Sequence, residues 1–195
     1  MFVMLLLWRA RRLLRRAVLA VVLLVALVSL THMATDPPPP VANQGGGLAG
    51  CREHGGLPDA RCTPGAIRAG VSLSAICRRG YSRSVRPPES YTEPLKLRQM
   101  RAYGLSGRPS AYEEDHLVPL SIGGAPVDPV NLWPEPRRGS YNAGEKDHLE
   151  TWVARIACAR RIPLALLQHQ MASDWTVLSR AAGGERVLRS YPPGG

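Results

Sequence analysis

The sequence is short of negative charge. Its 195 residues hold 15 Asp and Glu against 25 Lys and Arg, so the formal net charge is +10. From Cys51 onward, 20 basic residues still face only 14 acidic ones. A net positive charge favours a polyanion partner such as nucleic acid, an anionic membrane surface or an acidic polymer. The alternative is that the arginines serve solubility.

Charge and proline are both absent from residues 17–30, AVLAVVLLVALVSL, which follow the basic stretch WRARRLLRR. Fourteen apolar residues fit the core of a secretory signal, and extension to Ala34 reaches the minimum for a membrane span, roughly 17–18 residues. A small-x-small cleavage motif is also absent, because His32 stands in HMA. We therefore predict a signal peptide or a signal anchor over residues 1–34. The remainder would be extracytoplasmic, either secreted or membrane-anchored.

The cysteines lack the C-x-x-C spacing that is typical of zinc sites. There are four, and all follow the apolar segment: Cys51, Cys62, Cys77 and Cys158. An even number in an exported chain favours two disulfides, with a zinc site as the alternative. Three pairings are possible, and the spacing does not choose among them.

No internal repeat is present, which argues against a solenoid. The predicted order is a Pro/Gly linker over 35–50, one folded domain over 51–180 and a disordered tail over 181–195. Within the domain we predict a small α+β fold. Its elements are a helix over 92–104 capped by Thr92, strands over 116–122 and 130–136, a helix over 142–161 and a last helix from Pro163.

The stretch YEEDHLVPLSIGG, residues 112–124, gathers three acids beside His116 and ends on a glycine pair. Asn131-Leu132 follows on the second predicted strand, and Asn142 and Lys146 lie at the start of the next helix. This ordered set resembles the ββα-metal finger of the HNH endonuclease family, over about residues 112–150. The surrounding sequence is also similar to a group of exported bacterial proteins that carry this finger.

The resemblance implies a role for each matching residue. It assigns His116 as general base, Asp115 as metal ligand, Asn131 to holding the hairpin loop and the geometry of His116, and Asn142 as the second metal ligand. The implied cofactor is a divalent metal ion, with Mg²⁺ favoured over Mn²⁺ and Zn²⁺. Further candidates for binding the metal or supporting its ligands are Glu114, Glu145 and His148.

The chemistry can also be argued from the residues. A neutral histidine can take a proton from water, and a divalent cation can stabilise the charge that develops at a phosphodiester. Asp115 is a hard oxygen ligand of the kind that Mg²⁺ uses. Asn142 has a second interpretation, because Glu145 follows it by three residues as in a helix capping box. His116 and Asn131 could likewise have purely structural roles.

A basic segment runs from Arg78 to Arg108, where eight Lys and Arg face only two acids. Such side chains neutralise phosphates without reading sequence. Tyrosines interleaved with them could stack on bases, or could belong to the core. The residues that we predict to contact nucleic acid are Arg83, Arg86, Lys96, Arg98, Arg101 and Lys146.

Together these features predict a metal-dependent endonuclease that hydrolyses phosphodiester bonds, in DNA more than RNA, with low sequence preference. The membrane would be contacted through the N-terminal segment if that segment is uncleaved, and no protein partner is evident in the sequence. One alternative is a non-catalytic extracytoplasmic module that binds DNA or another polyanion. Another is a structural envelope protein in which the finger is a scaffold.

Overall fold

A computed structural model of the chain describes residues 50–182. The predicted signal segment and all but the last residue of the linker lie outside these residues, as does most of the tail. Within residues 50–182 no helix has both the length and the apolar character needed to cross a bilayer. The described elements are five helices, α1 (Leu73–Ile76), α2 (Tyr81–Val85), α3 (Glu89–Ala102), α4 (Ala143–Cys158) and α5 (Leu164–Ala181), and two antiparallel strands, β1 (Tyr112–His116) and β2 (Leu132–Pro136). This is an α+β arrangement, as predicted.

All four cysteines form disulfides, in one of the three pairings that the sequence left open. Cys51 bonds Cys62 within the loop-rich start of the domain. Cys77, just after α1, bonds Cys158 at the end of α4. The second bond joins positions 81 residues apart, so it ties the basic segment to α4. Disulfides are compatible with an extracytoplasmic location.

Helix α3 begins at Glu89 with Pro88 in the capping position, so the prediction that Thr92 caps it is wrong. The residue before a proline is disfavoured in helical conformation, which makes the Pro87-Pro88 pair a natural start. The predicted end holds: Gly104 takes a positive φ of 62° after the last turn, and Leu105 N–H donates to the Met100 carbonyl at 2.9 Å. Glycine accepts this left-handed conformation without strain.

The first strand begins four residues and ends six residues earlier than predicted. It covers Tyr112–His116, whereas residues 117–122 form a loop that ends in a 3₁₀ turn over Leu120–Ile122. The apolar run LVPLSI therefore does not continue the strand. Its side chains are buried because the loop folds into the core, and Pro119 has no N–H to offer a sheet. The second strand, Leu132–Pro136, lies within the predicted range.

The last two helices match their predictions closely. Asn142 caps α4, which ends three residues before the predicted Arg161. Pro163 takes the capping position of α5. Leu149, Trp152 and Val153 of α4 are buried, as are Leu167, Met171 and Trp175 of α5. These residues form the apolar stripes expected of amphipathic helices, and α4 and α5 pack together against the loop that follows β1.

Candidate functional site

Asn131 holds the loop between the two strands. Its side chain is fully buried, and Oδ1 accepts hydrogen bonds from Val118 N–H at 2.9 Å and Ala66 N–H at 3.1 Å. Its Nδ2 donates to the carbonyls of Val118 and Ala125 at 3.1 and 3.0 Å. The side-chain amide thus bonds both the N–H and the carbonyl of Val118, as a neighbouring strand would. This arrangement explains why the ladder stops at His116, since the next backbone groups are already paired.

The glycine pair of the motif lets the backbone at Gly124 approach the backbone of Val118 closely. A Cβ atom on Gly124 would lie 1.8 Å from the Val118 carbonyl oxygen and 3.0 Å from Nδ2 of Asn131. Gly123 has a positive φ of 89°. The turn therefore brings backbone to backbone at a distance that only glycine permits. This contact closes the loop that begins directly after His116.

His116 is held by the same loop. Its Nε2 lies 3.0 Å from the carbonyl oxygen of Pro126. A carbonyl only accepts, so Nε2 carries the proton and the neutral ring leaves Nδ1 as its basic atom. Burial is the main cause that lowers the pKa of His116 below its usual 6.5, and the positive charges of Lys146 and Arg86 also lower it. The side chain is thus a neutral, oriented imidazole near pH 7.

Beside it lies a buried ion cluster, formed by Asp115, Glu135, Lys146 and Glu150. The Lys146 side chain is 0% exposed, and its Nζ donates to Asp115 Oδ2 at 2.5 Å, Glu150 Oε1 at 2.5 Å and the His116 carbonyl at 2.8 Å. Burial raises the pKa of Asp115, but the Lys146 ammonium more than offsets this and holds it below its usual value. For Lys146 the two carboxylates overcome burial and raise its pKa.

The other two members of the cluster carry less negative charge. Burial raises the pKa of Glu150 to about 7 against the opposing effect of Lys146. Glu135 is fully buried, and burial raises its pKa well above the usual value. As an ionised group Glu135 would face no donor among the described residues. In its protonated form it donates to Asp115, its diagonal neighbour across the hairpin.

The two glutamates before Asp115 have different environments. Glu113 forms an ion pair with Arg137 at 2.7 Å. Both Glu114 carboxyl oxygens are buried without a hydrogen-bond partner among residues 50–182, and burial raises its pKa to about 8. Three acids that are adjacent in sequence are thus separated: one is paired at the surface, one is largely protonated, and one is ionised against Lys146.

Asn142 caps the first turn of α4, which is the second of the two interpretations of this residue. Its Oδ1 accepts from Glu145 N–H at 3.2 Å, and its Nδ2 donates to the Gly139 carbonyl at 2.8 Å. Glu145 in turn accepts from Tyr141 N–H and from the Ser179 hydroxyl. Both residues therefore cap α4 and join it to α5, which corrects their assignment to a metal site. His148 is half-buried on α4.

A divalent metal does not fit the residues in this arrangement. Asp115 Oδ2 is occupied by the Lys146 ammonium, and the second expected ligand, Asn142, is engaged at the helix cap. In the part of the chain that the structure describes, no group of three or more His, Cys, Asp and Glu side chains is arranged to hold a metal ion. Lys146 supplies the positive charge that ionised Asp115 requires.

A cleft adjoins this cluster. It has a volume of about 540 Å³ and lies between α4 and the segment that carries α1 and α2. We call it the arginine cleft, because its lining includes Arg78, Arg83, Arg86 and Arg155. Glu150 links the two features, since it lines the cleft and also accepts the bond from Lys146.

The residues predicted to contact nucleic acid fall into three groups. Arg83 and Arg86 line the arginine cleft, and Arg98 and Arg101 are exposed on α3. Lys146 is fully buried, and Lys96 is 5% exposed with its Nζ 2.7 Å from Glu93. The assignment of these two lysines to nucleic acid is therefore wrong, because neither ammonium is presented to a phosphate. Tyr103 is also a core residue, packed on Trp133.

Sequence reasoning missed Glu135, Glu150 and the true role of Lys146. A signal for the last two was present. Lys146 and Glu150 have the i, i+4 spacing of a helical ion pair, and Lys146 shares the spacing of Leu149 and Val153 on the buried stripe. Glu135 lies two residues after Trp133 and so shares its face of β2, and the expected burial of Trp133 was the one signal for it.

Comparison with known proteins adds no relative. The chain matches no protein-family model, and no curated protein or solved structure is significantly similar to it.

Proposed function

We propose that this domain is a phosphodiester hydrolase of the HNH type, with DNA as its substrate and little sequence preference. The observation that carries the proposal is the bond from His116 Nε2 to the Pro126 carbonyl. It fixes the tautomer in which Nδ1 can accept a proton, and burial keeps the ring neutral.

In the proposed reaction, His116 Nδ1 takes a proton from a water molecule. The water oxygen forms a bond to phosphorus as the bond to the leaving oxygen breaks, and that oxygen then takes up a proton from solvent. Arg86 is exposed and its charge acts on His116, so in this reaction it would neutralise the phosphate oxygens. Asn131 is a positioning residue, because it acts on the substrate only through the loop that aims His116.

The divalent metal at Asp115 stays a prediction. For a metal to bind there, Lys146 would have to leave Asp115, so no step above passes through a metal. The sequence-based expectation is tested directly by comparing plasmid cleavage in Mg²⁺, Mn²⁺, Zn²⁺ and chelator.

A second candidate function is a non-catalytic module that binds DNA or another polyanion outside the cytoplasm. The specific observation in its favour is the buried ion cluster, in which Lys146 neutralises the acids that a nuclease of this type would use for a metal. In this alternative His116 and Asn131 maintain the hairpin loop. Salt-dependent binding without cleavage distinguishes it from the hydrolase.

The deciding experiment is nicking of supercoiled plasmid by the purified full chain. Wild type is expected to nick DNA, and His116→Ala to lower the rate by at least about 100-fold, the usual loss for a general base. The matched control is His54→Ala, at an exposed histidine outside the site, which is expected to cleave within about twofold of wild type. If wild type and His116→Ala are equally active, or both inert in every metal and in chelator, the hydrolase proposal fails.

Secretion or membrane anchoring belongs to the same proposal. It rests on the apolar residues 17–30 behind five arginines and on the two disulfides, which persist in oxidising compartments. The direct measurement is fractionation of expressing cells, with the mass of the mature chain reporting whether the first 34 residues have been removed. A full-length chain in the cytosolic fraction would contradict export.

A further inference from the structure

We propose that the arginine cleft binds one phosphate-bearing nucleotide unit of a polynucleotide, next to His116. This inference rests on the proposed function for its substrate class. It is carried by the size of the cleft, by the unpaired charges on one wall, of which the catalytic argument uses only Arg86, and by the unsatisfied hydroxyl groups of the lining residues.

Three of the positive charges that line the cleft are available to a ligand. Arg78, Arg83 and Arg86 are exposed, and none of them forms an ion pair with another residue of 50–182. All three lie on one wall, between the end of α1 and the start of α3. Guanidinium groups donate in a planar fork that matches phosphate oxygens, and their charge persists at every physiological pH.

Two hydroxyl groups of the lining lack partners. The oxygens of Tyr81 and Ser121 are buried, and neither makes a hydrogen bond within the described part of the chain. A buried polar atom without a partner costs free energy, so such atoms are uncommon unless a ligand or water completes them. Each hydroxyl has a proton to donate to a phosphate oxygen once its side chain turns toward the cleft.

The size and shape of the cleft indicate more than a bare phosphate. About 540 Å³ lies within the range of small-molecule sites, roughly 300–1000 Å³, and it suits a nucleotide unit. The α4 wall carries Asp147 and Glu150 beside Arg155, so the acids of the cleft lie on this wall and three of its four arginines lie on the other. We place the phosphate on the arginine wall and the sugar and base toward α4, where carboxyl groups can accept hydrogen bonds.

The cleft is also positioned for the reaction. Ser121 lies on the loop that begins after His116, and Glu150 bonds the lysine that holds Asp115 and the His116 carbonyl. A nucleotide bound in the cleft would therefore direct the adjoining phosphodiester toward His116. The cleft is a binding subsite, and its arginines are expected to act mainly on affinity.

The test is fluorescence anisotropy of a labelled single-stranded 12-mer with the purified full chain. We expect Arg83→Gln/Arg86→Gln to raise Kd by about tenfold or more, because two phosphate contacts are lost. The matched control, Arg68→Gln/Arg161→Gln, removes two exposed arginines that do not line the cleft, and it should change Kd by less than about threefold. Equal effects of the two double variants on Kd would overturn the proposed subsite and would assign binding to general surface charge.

The hydroxyl groups give an independent test. Tyr81→Phe and Ser121→Ala are each expected to weaken 12-mer binding by about three- to tenfold while leaving the urea unfolding curve unchanged or slightly more stable. Unchanged binding in both variants would overturn the subsite. Thymidine monophosphate is expected to bind at least about tenfold more weakly than the 12-mer, because neighbouring phosphates add contacts. Equal affinities would assign the cleft to free nucleotides instead.

These outcomes are distinct from failure of the hydrolase proposal. Cleft-dependent binding without plasmid nicking would retain the subsite and reject hydrolysis. Nicking that depends on His116, with the same KM in wild type and Arg83→Gln/Arg86→Gln, would retain hydrolysis and reject the subsite.

Discussion

The buried ion cluster and the arginine cleft lie side by side, yet they handle charge in opposite ways. In the cluster, the Lys146 ammonium is 0% exposed and bonded to two carboxylates and a carbonyl. In the cleft, Arg78, Arg83 and Arg86 are exposed and pair with no described residue. A buried charge must find its counter-charge within the protein, whereas an exposed charge is solvated and remains free to meet a ligand.

This difference separates structural charge from functional charge. The sequence presents Lys146 and Arg83 alike, as basic residues near an acidic motif. The structure shows that Lys146 is used internally, so it contributes to folding. Arg83 forms no ion pair within residues 50–182, so its charge remains available to solvent or to a ligand. Four predictions test this division, in order of decreasing effect.

Lys146→Met should have the largest effect on stability. It leaves Asp115 and Glu150 buried beside each other without a cation, and breaking a buried ion pair costs about 3–5 kcal/mol. We expect a loss near the upper end, about 5 kcal/mol, in the free energy of unfolding measured with urea. Lys96→Met is the control, because the Glu93 partner of Lys96 is largely exposed and the loss should be about 1 kcal/mol. Equal losses would show that the buried ion pairs of Lys146 contribute no more to stability than the ion pair of Lys96.

Removal of the Cys77–Cys158 bond should come next. Replacing both cysteines with alanine releases a constraint between positions 81 residues apart, for which chain entropy predicts a loss of about 4 kcal/mol. The same change at Cys51 and Cys62, which are 11 apart, should cost about 3 kcal/mol. Because the longer bond ties the arginine wall to α4, only its removal should also weaken 12-mer binding. Equal effects of the two changes on binding would contradict this.

Glu114→Gln should stabilise the protein above neutral pH. Burial raises the pKa of Glu114 to about 8 in the folded chain, against 4.5 when unfolded. Ionisation therefore favours the unfolded chain, so stability is fully present below pH 4.5 and is lost as pH rises through 8. The variant removes this loss, and we expect a gain of about 1–3 kcal/mol at pH 8 that vanishes near pH 4.5. Urea unfolding across this range is the measurement, and a gain independent of pH would contradict the assignment.

Arg83→Gln/Arg86→Gln should have the smallest effect on stability. Both side chains are exposed and have no internal partner, so the free energy of unfolding should change by less than about 0.5 kcal/mol. Together with the expected loss of 12-mer binding, this result would show that the cleft arginines contribute to binding and Lys146 to stability. A loss of more than about 2 kcal/mol in the free energy of unfolding would show that the cleft arginines are structural, and it would contradict the contrast with Lys146.

The elements that followed from the sequence are those with local signals. Asn142 with Glu145 three residues later predicted the start of α4, and Pro163 predicted the start of α5. The position of β1 could not be read from the sequence, because LVPLSI has the composition of a strand. The competing bonds to Val118 come from Asn131, thirteen residues away. Thr92 failed as a cap because Pro88 already begins the helix.

For the candidate site, the motif selected residues that the structure brings together, but it did not give their contacts. His116 and Asn131 lie in one loop-and-hairpin unit. Asn142, assigned to a metal, serves the helix cap, and Lys146, assigned to nucleic acid, serves Asp115. Spacing along the chain gives residue type and order. It does not give burial, which decides whether a charge is solvated or must be paired.

Some properties of the protein follow directly from its residues: the net positive charge, the four cysteines, the amphipathic helices and the gathering of acids beside His116. Each of these is a property of composition or of short-range spacing. Others required the folded chain, namely the disulfide pairing, the burial of Lys146 against Asp115 and the cleft in which Arg83 and Arg86 form no ion pair. Solvation and counter-charge depend on which distant segments pack together, and local sequence does not specify that packing.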